Sequence, residues 1–414
     1  MQARAHQDAP LLGRNLAATG AFVLIVVVLV GIAYLNAPIK SNPAVVRDGI
    51  FAAPYLEEVG KTAAPFLAVI GLAAAGLGLA AARTVRRAWP YPNRRRELIA
   101  GYAFLAPYLL VTLTFTLGVI LFALYVSFTD YNIFTEPEWI GLDNFKRAFG
   151  EKTFLQSLHN VLWYAAIVTP TQTALAIGMA VLLNAPLRLR RFWRTIFYAP
   201  SVTSSVVITA IFIWLYLKTG FLNLLFARVL GVVGVEWQAL DWLGDPRGLI
   251  QIIAGAFGVE ISSEQWYLRG PSIAWMAIMA QNIFTTVPTF AIMFLAALQD
   301  INPTIYEAAD IDGASGWQRF RRITLPLLRP IIVLVLVLGT IGTLQIFDQV
   351  YLATAGGPLG TTNTPVYEVF TRALGKLGPI EMGYGAALAF ILGVIIFVFT
   401  FVQRRFLERG TELY

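Results

Sequence analysis

Asn302–Pro330 reads NPTIYEAADIDGASGWQRFRRITLPLLRP, a polar stretch set between two long apolar runs. Its spacing predicts two short helices joined at a glycine. Asn302 is placed to cap the first, with Pro303 at the first helical position, where no amide donor is needed. Gly313 ends that helix, because glycine adopts a left-handed backbone without a Cβ clash. Ser315 followed by Gln318 has the spacing of a capping box for the second helix, and Pro326 restricts its far end. Trp317 and Phe320 stand among Arg319, Arg321 and Arg322, an apolar knob in a basic collar. Such a surface either docks into a partner or rests on lipid headgroups, and spacing alone leaves both open.

Outside this stretch the chain is apolar. Its 414 residues are 57% hydrophobic and 13% charged, with a mean hydropathy of +0.66. Soluble domains carry about 25% charged residues, so the composition is that of an integral membrane protein. Runs long enough to cross ~30 Å of hydrocarbon lie at Ala18–Leu35, Ala64–Ala82, Ile99–Phe128, Val161–Leu183, Thr195–Leu217, Ser272–Leu298, Pro330–Val350 and Tyr384–Val402. That makes eight transmembrane helices in an all-α protein, with both termini on one side. The first run lacks a small-x-small cleavage site and is read as a retained anchor.

The basic residues orient the spans. The N-terminus, 83–98, 184–194, 299–329 and the C-terminal tail hold 19 of the 31 lysines and arginines, and the longer alternate connections hold 12. The positive-inside rule makes the first set cytoplasmic, including the stretch 302–330. The net charge of +7 is thereby a matter of membrane side, not of nucleic acid. The arginine cluster from Arg83 to Arg96, with Pro90 and Pro92, marks a linker. It divides an N-terminal pair of spans, 1–98, from a six-span core, 99–414.

Several chemistries are absent from the sequence. There is no cysteine, and His6 and His159 are the only histidines, so no metal site or nucleophilic triad is expected. Gly60-Lys61-Thr62 ends like a phosphate-binding loop but has Tyr55 where the leading glycine belongs. No cofactor is expected on this chain; ATP, if used, is bound by another.

The core spans carry polar residues. Pro170 and Pro200 interrupt two of them, and Ser201, Thr203, Ser204 and Ser205 follow Pro200. Asn282, Thr285, Thr286 and Thr289 share one helical face beside Gln281, while Gln345, Phe347, Asp348 and Gln349 approach the outer end of the seventh span. Buried polar groups in membrane spans face a bundle interior or a wet cavity. Amides and a carboxylate beside Phe347 and Tyr351 suit a hydroxyl-rich ligand; bonding between helices is the alternative. Trp237, Trp242 and Trp266 in the long loop 218–271 are read as interface anchors or ligand contacts.

Glu307-Ala308-Ala309, Gly313, Ile323 and Leu325-Pro326 match the EAA signature of ABC importer membrane subunits. The surrounding LAALQDINPTIYEAADIDGASGWQRFRRITLPLLRP resembles the carbohydrate-uptake permeases, which include the larger membrane subunit of the maltose transporter. So do IGLDNF at Ile140–Phe145, Pro200–Val206 with Trp214, Gly220 and Asn223, FDQVYLATAGGP at Phe347–Pro358, and GYGAAL at Gly383–Leu388. The likeness runs from about Leu98 to the C-terminus. Thr129–Asn160 lacks the large insertion of the maltose subunit, and the stretch between Asp245-Pro246 and Pro271 is longer than the family usually has.

The resemblance implies a type I ABC importer core in a bacterial inner membrane. Its partners would be a second, related permease, a cytoplasmic ABC ATPase dimer carrying ATP and Mg, an extracytoplasmic sugar-binding protein, and membrane lipid. Glu307, Ala308 and Gly313 would shape the ATPase joint, with Trp317 and Phe320 filling its cleft. Gln345, Phe347, Asp348, Asn282 and Thr286 are the residues expected to line the sugar site. With no basic residue in any span, a neutral sugar is favoured over an anionic one. An ion-coupled secondary transporter is the rival reading, using Asp348 but having no need of a docking loop; an enzyme would require an acid–base or metal cluster that the sequence lacks.

Overall fold

The computed structural model describes residues 92–407 apart from 187, 263–264 and 377. The spans expected at Ala18–Leu35 and Ala64–Ala82, Gly60-Lys61-Thr62 and most of the basic linker lie outside the described residues. The chain divides into two compact units, Met1–Val126 and Ser127–Tyr414. In the first, the expected span at Ile99–Phe128 is α1 (Pro92–Val111), a π-helical turn (Thr112–Leu117) and α2 (Gly118–Val126).

The second unit opens with a two-stranded hairpin, β1 (Thr129–Asp130) against β2 (Glu138–Trp139). Buried Asn144, on α3 (Asp143–Gly150), donates to the Ser127 and Thr129 carbonyls at 3.1 and 2.9 Å, so the IGLDNF motif clamps the hairpin. The bundle follows as α4 (Lys152–Asn184), α5 (Arg190–Val202), α6 (Ser205–Leu215), α7 (Phe221–Val232), α8 (Leu249–Ala256) and α9 (Ile273–Asp300). Within the 302–330 stretch lie α10 (Pro303–Ile311), α11 (Gly316–Arg319) and α12 (Leu325–Leu327), and after it come α13 (Arg329–Leu344), α14 (Asp348–Ala353), α15 (Pro365–Ala373) and α16 (Met382–Leu407).

Among the described residues, α4, α9, α16 and the pair α13–α14 are long and apolar enough to cross a membrane. The central packing is α9 on α4, with α13 against both. Buried Ala176, Ala180 and Leu183 of α4 meet Phe294, Leu295 and Leu298 of α9 and Leu328 at one end. Nearer the other end, the Tyr164 and Trp275 rings pack at a tilt with centroids 4.6 Å apart, and the Trp275 indole donates to the Asn160 carbonyl at 2.8 Å. The buried Trp275 N–H is thereby paired, whereas the buried Tyr164 hydroxyl beside it has no partner among the described residues.

Two expectations need correcting, at Pro170 and at Pro330–Val350, while the interruption expected at Pro200 is present. Pro170 does not interrupt its span: α4 runs unbroken through it, with Thr169, Gln172 and Thr173 buried against the bundle on one face and Pro170 on the exposed face. The span Thr195–Leu217 is not straight; α5 and α6 meet at 94°. Pro200 removes a donor there, and the Ser201 and Thr203 hydroxyls take the Tyr198 and Ala199 carbonyls, competing with the helix ladder. The span Pro330–Val350 is also broken, unwinding at Gln345–Phe347, where Thr364 Oγ1 donates to the freed Ile346 carbonyl at 3.2 Å.

Candidate functional site

The 302–330 stretch folds largely as its sequence dictates. Asn302 Oδ1 accepts from the Thr304 amide at 3.1 Å and caps α10 (Pro303–Ile311). Gly313 holds φ +71° while its amide closes on the Asp310 carbonyl at 3.1 Å. A Cβ there would meet nothing, so the demand for glycine is conformational. Ser315 and Gln318 form the reciprocal capping box of α11 (Gly316–Arg319). Pro326 does not end this second helix, contrary to its sequence reading. The chain continues through a π-helical turn (Phe320–Thr324) into α12 (Leu325–Leu327), with Pro326 in the first turn, where its missing donor costs nothing.

The two helices are held as one piece by an Arg319–Asp310 ion pair and by the Tyr306 and Thr324 hydroxyls at 2.9 Å. Glu307 and Ala308 are exposed, whereas Ala309 is buried. Trp317 and Phe320 have ring centroids 5.6 Å apart but face differently. Trp317 is 67% exposed, and Phe320 turns inward against the α4–α9 core. Ile311, not singled out from the sequence, is 88% exposed and stands beside Gly313. The protruding apolar surface is therefore Ile311 with Trp317, Phe320 acting as the root that fixes it. The signal available in the sequence was an isoleucine in an otherwise polar turn.

The polar residues of the spans separate into two kinds. Gln281 is buried and donates to Thr209 Oγ1 at 2.6 Å, a bond between α9 and α6. Half-buried Asn282 keeps its neighbour Thr286, whose hydroxyl donates to the Asn282 carbonyl at 2.8 Å. Gln345 and Asp348 are exposed at the break between α13 and α14. There Phe347 stacks on Tyr351 at 5.4 Å and lies 5.0 Å from Phe370. Both groups border one apolar cluster that includes Trp275, Ile278 and Leu344; no hydrogen bond joins them among the described residues. The Trp237 and Trp242 indoles both donate to the carboxamide of buried Asn223.

A third group was not legible in the sequence. Gln172 of α4 is 1% exposed, and neither its Oε1 nor its Nε2 has a partner. It lies against Gly339 of α13, where a Cβ would stand 2.6 Å from Nε2. One turn along α4, Thr169 shares a 3.2 Å hydroxyl contact with Thr343. An unpaired buried amide costs free energy, so this spot is costly in the conformation seen.

At the end of the bundle opposite 302–330, an ionic clasp ties α3, α4, α15 and α16. Arg147 grips Glu381 through bonds of 2.7 and 3.0 Å. Arg372 pairs with Glu368 and Glu151, and the Tyr384 hydroxyl donates to Glu151 at 2.6 Å. Burial pushes the Glu151 carboxyl up, but the Tyr384 bond and the Arg372 and Arg147 charges outweigh it, holding it below the usual carboxylate range.

Comparison with known proteins fits this architecture. The family described as "Binding-protein-dependent transport system inner membrane component" matches residues 172–410, which contain both the 302–330 stretch and the α13–α14 break. The probable ABC transporter permease protein YesP of Bacillus subtilis is 33% identical over 74% of this chain and 90% of its own length. The trehalose/maltose transport system permease protein MalF of Thermococcus litoralis is 30% identical over 74% of this chain and 93% of its own. The lactose transport system permease protein LacF of Rhizobium radiobacter is 29% identical, with like coverage. A bacterial alginate ABC transporter, solved in complex with an alginate pentasaccharide-bound periplasmic protein, superposes with a TM-score of 0.60 at 21% identity, over 77% of this chain and 96% of that one. On the strength of the family match and these long alignments, the chain belongs to the inner-membrane components of binding-protein-dependent transport systems.

Proposed function

We propose that this chain is the permease subunit of an ATP-driven sugar importer, forming the translocation pathway with a second permease and docking a cytoplasmic ATPase through 302–330. The observation that carries the reading is the rigid, capped helix pair presenting Ile311 and Trp317 outward while Phe320 anchors it to the spans. A force applied to such a piece moves α9 and α13, which it joins, without first being absorbed by loop bending. The relatives named for trehalose/maltose and lactose transport support a sugar as cargo. Both termini are cytoplasmic in this reading, with ATP and Mg on the ATPase and a binding protein delivering sugar at the opposite end. Asn282, Thr286, Gln345, Phe347 and Asp348 remain the proposed sugar contacts, and Gln172 joins them as a buried amide without a partner. Asp348 lies within the apolar pair α13–α14 and is exposed there; an ion-coupled transporter could use such an acid but has no need of the capped helix pair at 302–330.

Truncating an interface hot spot costs at least ~2 kcal/mol, roughly thirtyfold in affinity. Trp317→Asp should therefore abolish ATPase co-purification with membrane insertion intact. Gly313→Pro should do the same, because proline fits neither φ +71° nor the Gly313 amide bond. Normal ATPase recovery with both variants would remove 302–330 from the interface.

A further inference from the structure

Below the bend between α5 and α6, the helices α4, α5, α6 and α9 enclose a half-open apolar cavity of 1360 Å³. It is larger than ordinary small-molecule sites of roughly 300–1,000 Å³ and offers almost no polar group for orienting a solute. Gly178 lies in its wall, and a Cβ on Gly178 would meet nothing within 4 Å. At the end shared with 302–330, the lining is Leu182, Leu183 and Trp193. Next to these residues sit two cations, Arg190 and Arg194.

Arg190 donates to the Leu183 and Asn184 carbonyls at 3.1 Å, and Arg194 reaches the Leu183 carbonyl at 3.4 Å. These carbonyls at the end of α4 carry only partial negative charge. The sequence from Asn184 to Val202 contains no acid, and no ion pair reaches either arginine among the described residues. The Arg194 Nε is buried without a partner. Two whole positive charges thus converge at the mouth of an apolar, chain-sized cavity. A solute anion would satisfy the arginines but leave the cavity unused, and an apolar partner helix would fill the cavity but leave the charges uncompensated.

We propose that this cavity is a binding site for one anionic phospholipid, its phosphate on Arg194 and Arg190 and an acyl chain lying along Gly178 towards the bend. The site requires only that the chain spans a bilayer, so it stands or falls independently of the cargo. Its position beside the α4–α9 end that carries 302–330 makes lipid occupancy a brace for that end.

The test uses the full chain, purified in detergent and delipidated, with native mass spectrometry counting retained dioleoyl-phosphatidylglycerol or dioleoyl-phosphatidylcholine. One phosphatidylglycerol should be held at least roughly tenfold more tightly than phosphatidylcholine. Arg194→Gln should weaken it roughly fivefold, with Arg194→Lys restoring most of the loss. Arg191→Gln, on the face of α5 turned away from the cavity lining, should change it less than twofold. Gly178→Leu fills the cavity and should weaken both lipids alike, without touching the charges. Equal retention of the two lipids, or an unchanged count in Gly178→Leu, would overturn the proposal. So would displacement of phosphatidylglycerol by millimolar inorganic phosphate, which would mark a free-anion site. A photo-crosslinker at position 178 in native membranes should capture phospholipid, and capture of a second permease instead would give the cavity to that protein.

Discussion

At the scale of single residues, the most informative contact is between Gly339 and Gln172. A methyl group at 339 would stand 2.6 Å from the Gln172 amide and 3.3 Å from Thr169, with no solvent into which the amide can retreat. Overpacking of this kind costs ~1–3 kcal/mol. Gly339→Ala should lower the melting temperature of the purified chain and reduce transport, and adding Gln172→Ala should recover the stability. If the double variant is no more stable than Gly339→Ala alone, the clash lies elsewhere. Neither residue was visible in the sequence. Gln172 reads as one polar residue in a long apolar run, and only the crossing of α4 on α13 makes it an orphan. Asn302, Gly313, Ser315 and Gln318 were legible because each acts on backbone groups within four positions of itself. Phe320 was only half legible, since periodicity puts it beside Trp317 but says nothing of the core waiting behind it.

Between elements, the clasp of Arg147, Glu151, Glu368, Arg372 and Glu381 joins four helices that are distant in sequence. The folded pKa of Glu151 is depressed, so its contribution is present above the ordinary glutamate value and is lost as pH falls through the folded value. Stability should therefore decline below about pH 4. Glu151→Gln should be less stable than the parent at neutral pH but show a shallower acid decline. Parallel acid curves for the two proteins would assign the loss to other carboxylates. Helix breaks were the elements least legible beforehand. Pro170 and Pro200 look alike in sequence, and after each a hydroxyl takes the carbonyl of the residue before the proline, Thr173 to Thr169 and Thr203 to Ala199; what differs is that α4 is buried along one face for its whole length, whereas α5 buries no residue. The break at Gln345–Phe347 has no glycine or proline to announce it; its freed carbonyl is satisfied by Thr364, which is remote in sequence.

For the whole molecule, the helices carry 302–330, the α5 arginines and the Arg329–Leu407 contact to one end of the second unit. The expectation that these basic segments share a membrane side becomes directly measurable. The chain has no cysteine, so single substitutions at Ile311 and at Leu359, both exposed and at opposite ends, can be labelled without background. An impermeant thiol reagent applied to intact spheroplasts should modify Leu359→Cys and spare Ile311→Cys until the membrane is opened. The reverse pattern would invert the topology. The bend between α5 and α6 also has a consequence for the surrounding bilayer. At 1.5 Å per residue, the 11 residues of α6 give a rod of about 16 Å before α5 turns aside, roughly half the ~30 Å hydrocarbon depth. On that flank the protein offers the membrane a notch in place of a full-height wall. Where this flank faces lipid, acyl chains shorten, tilt or tuck in, so its packing should respond to the thickness of the membrane around it.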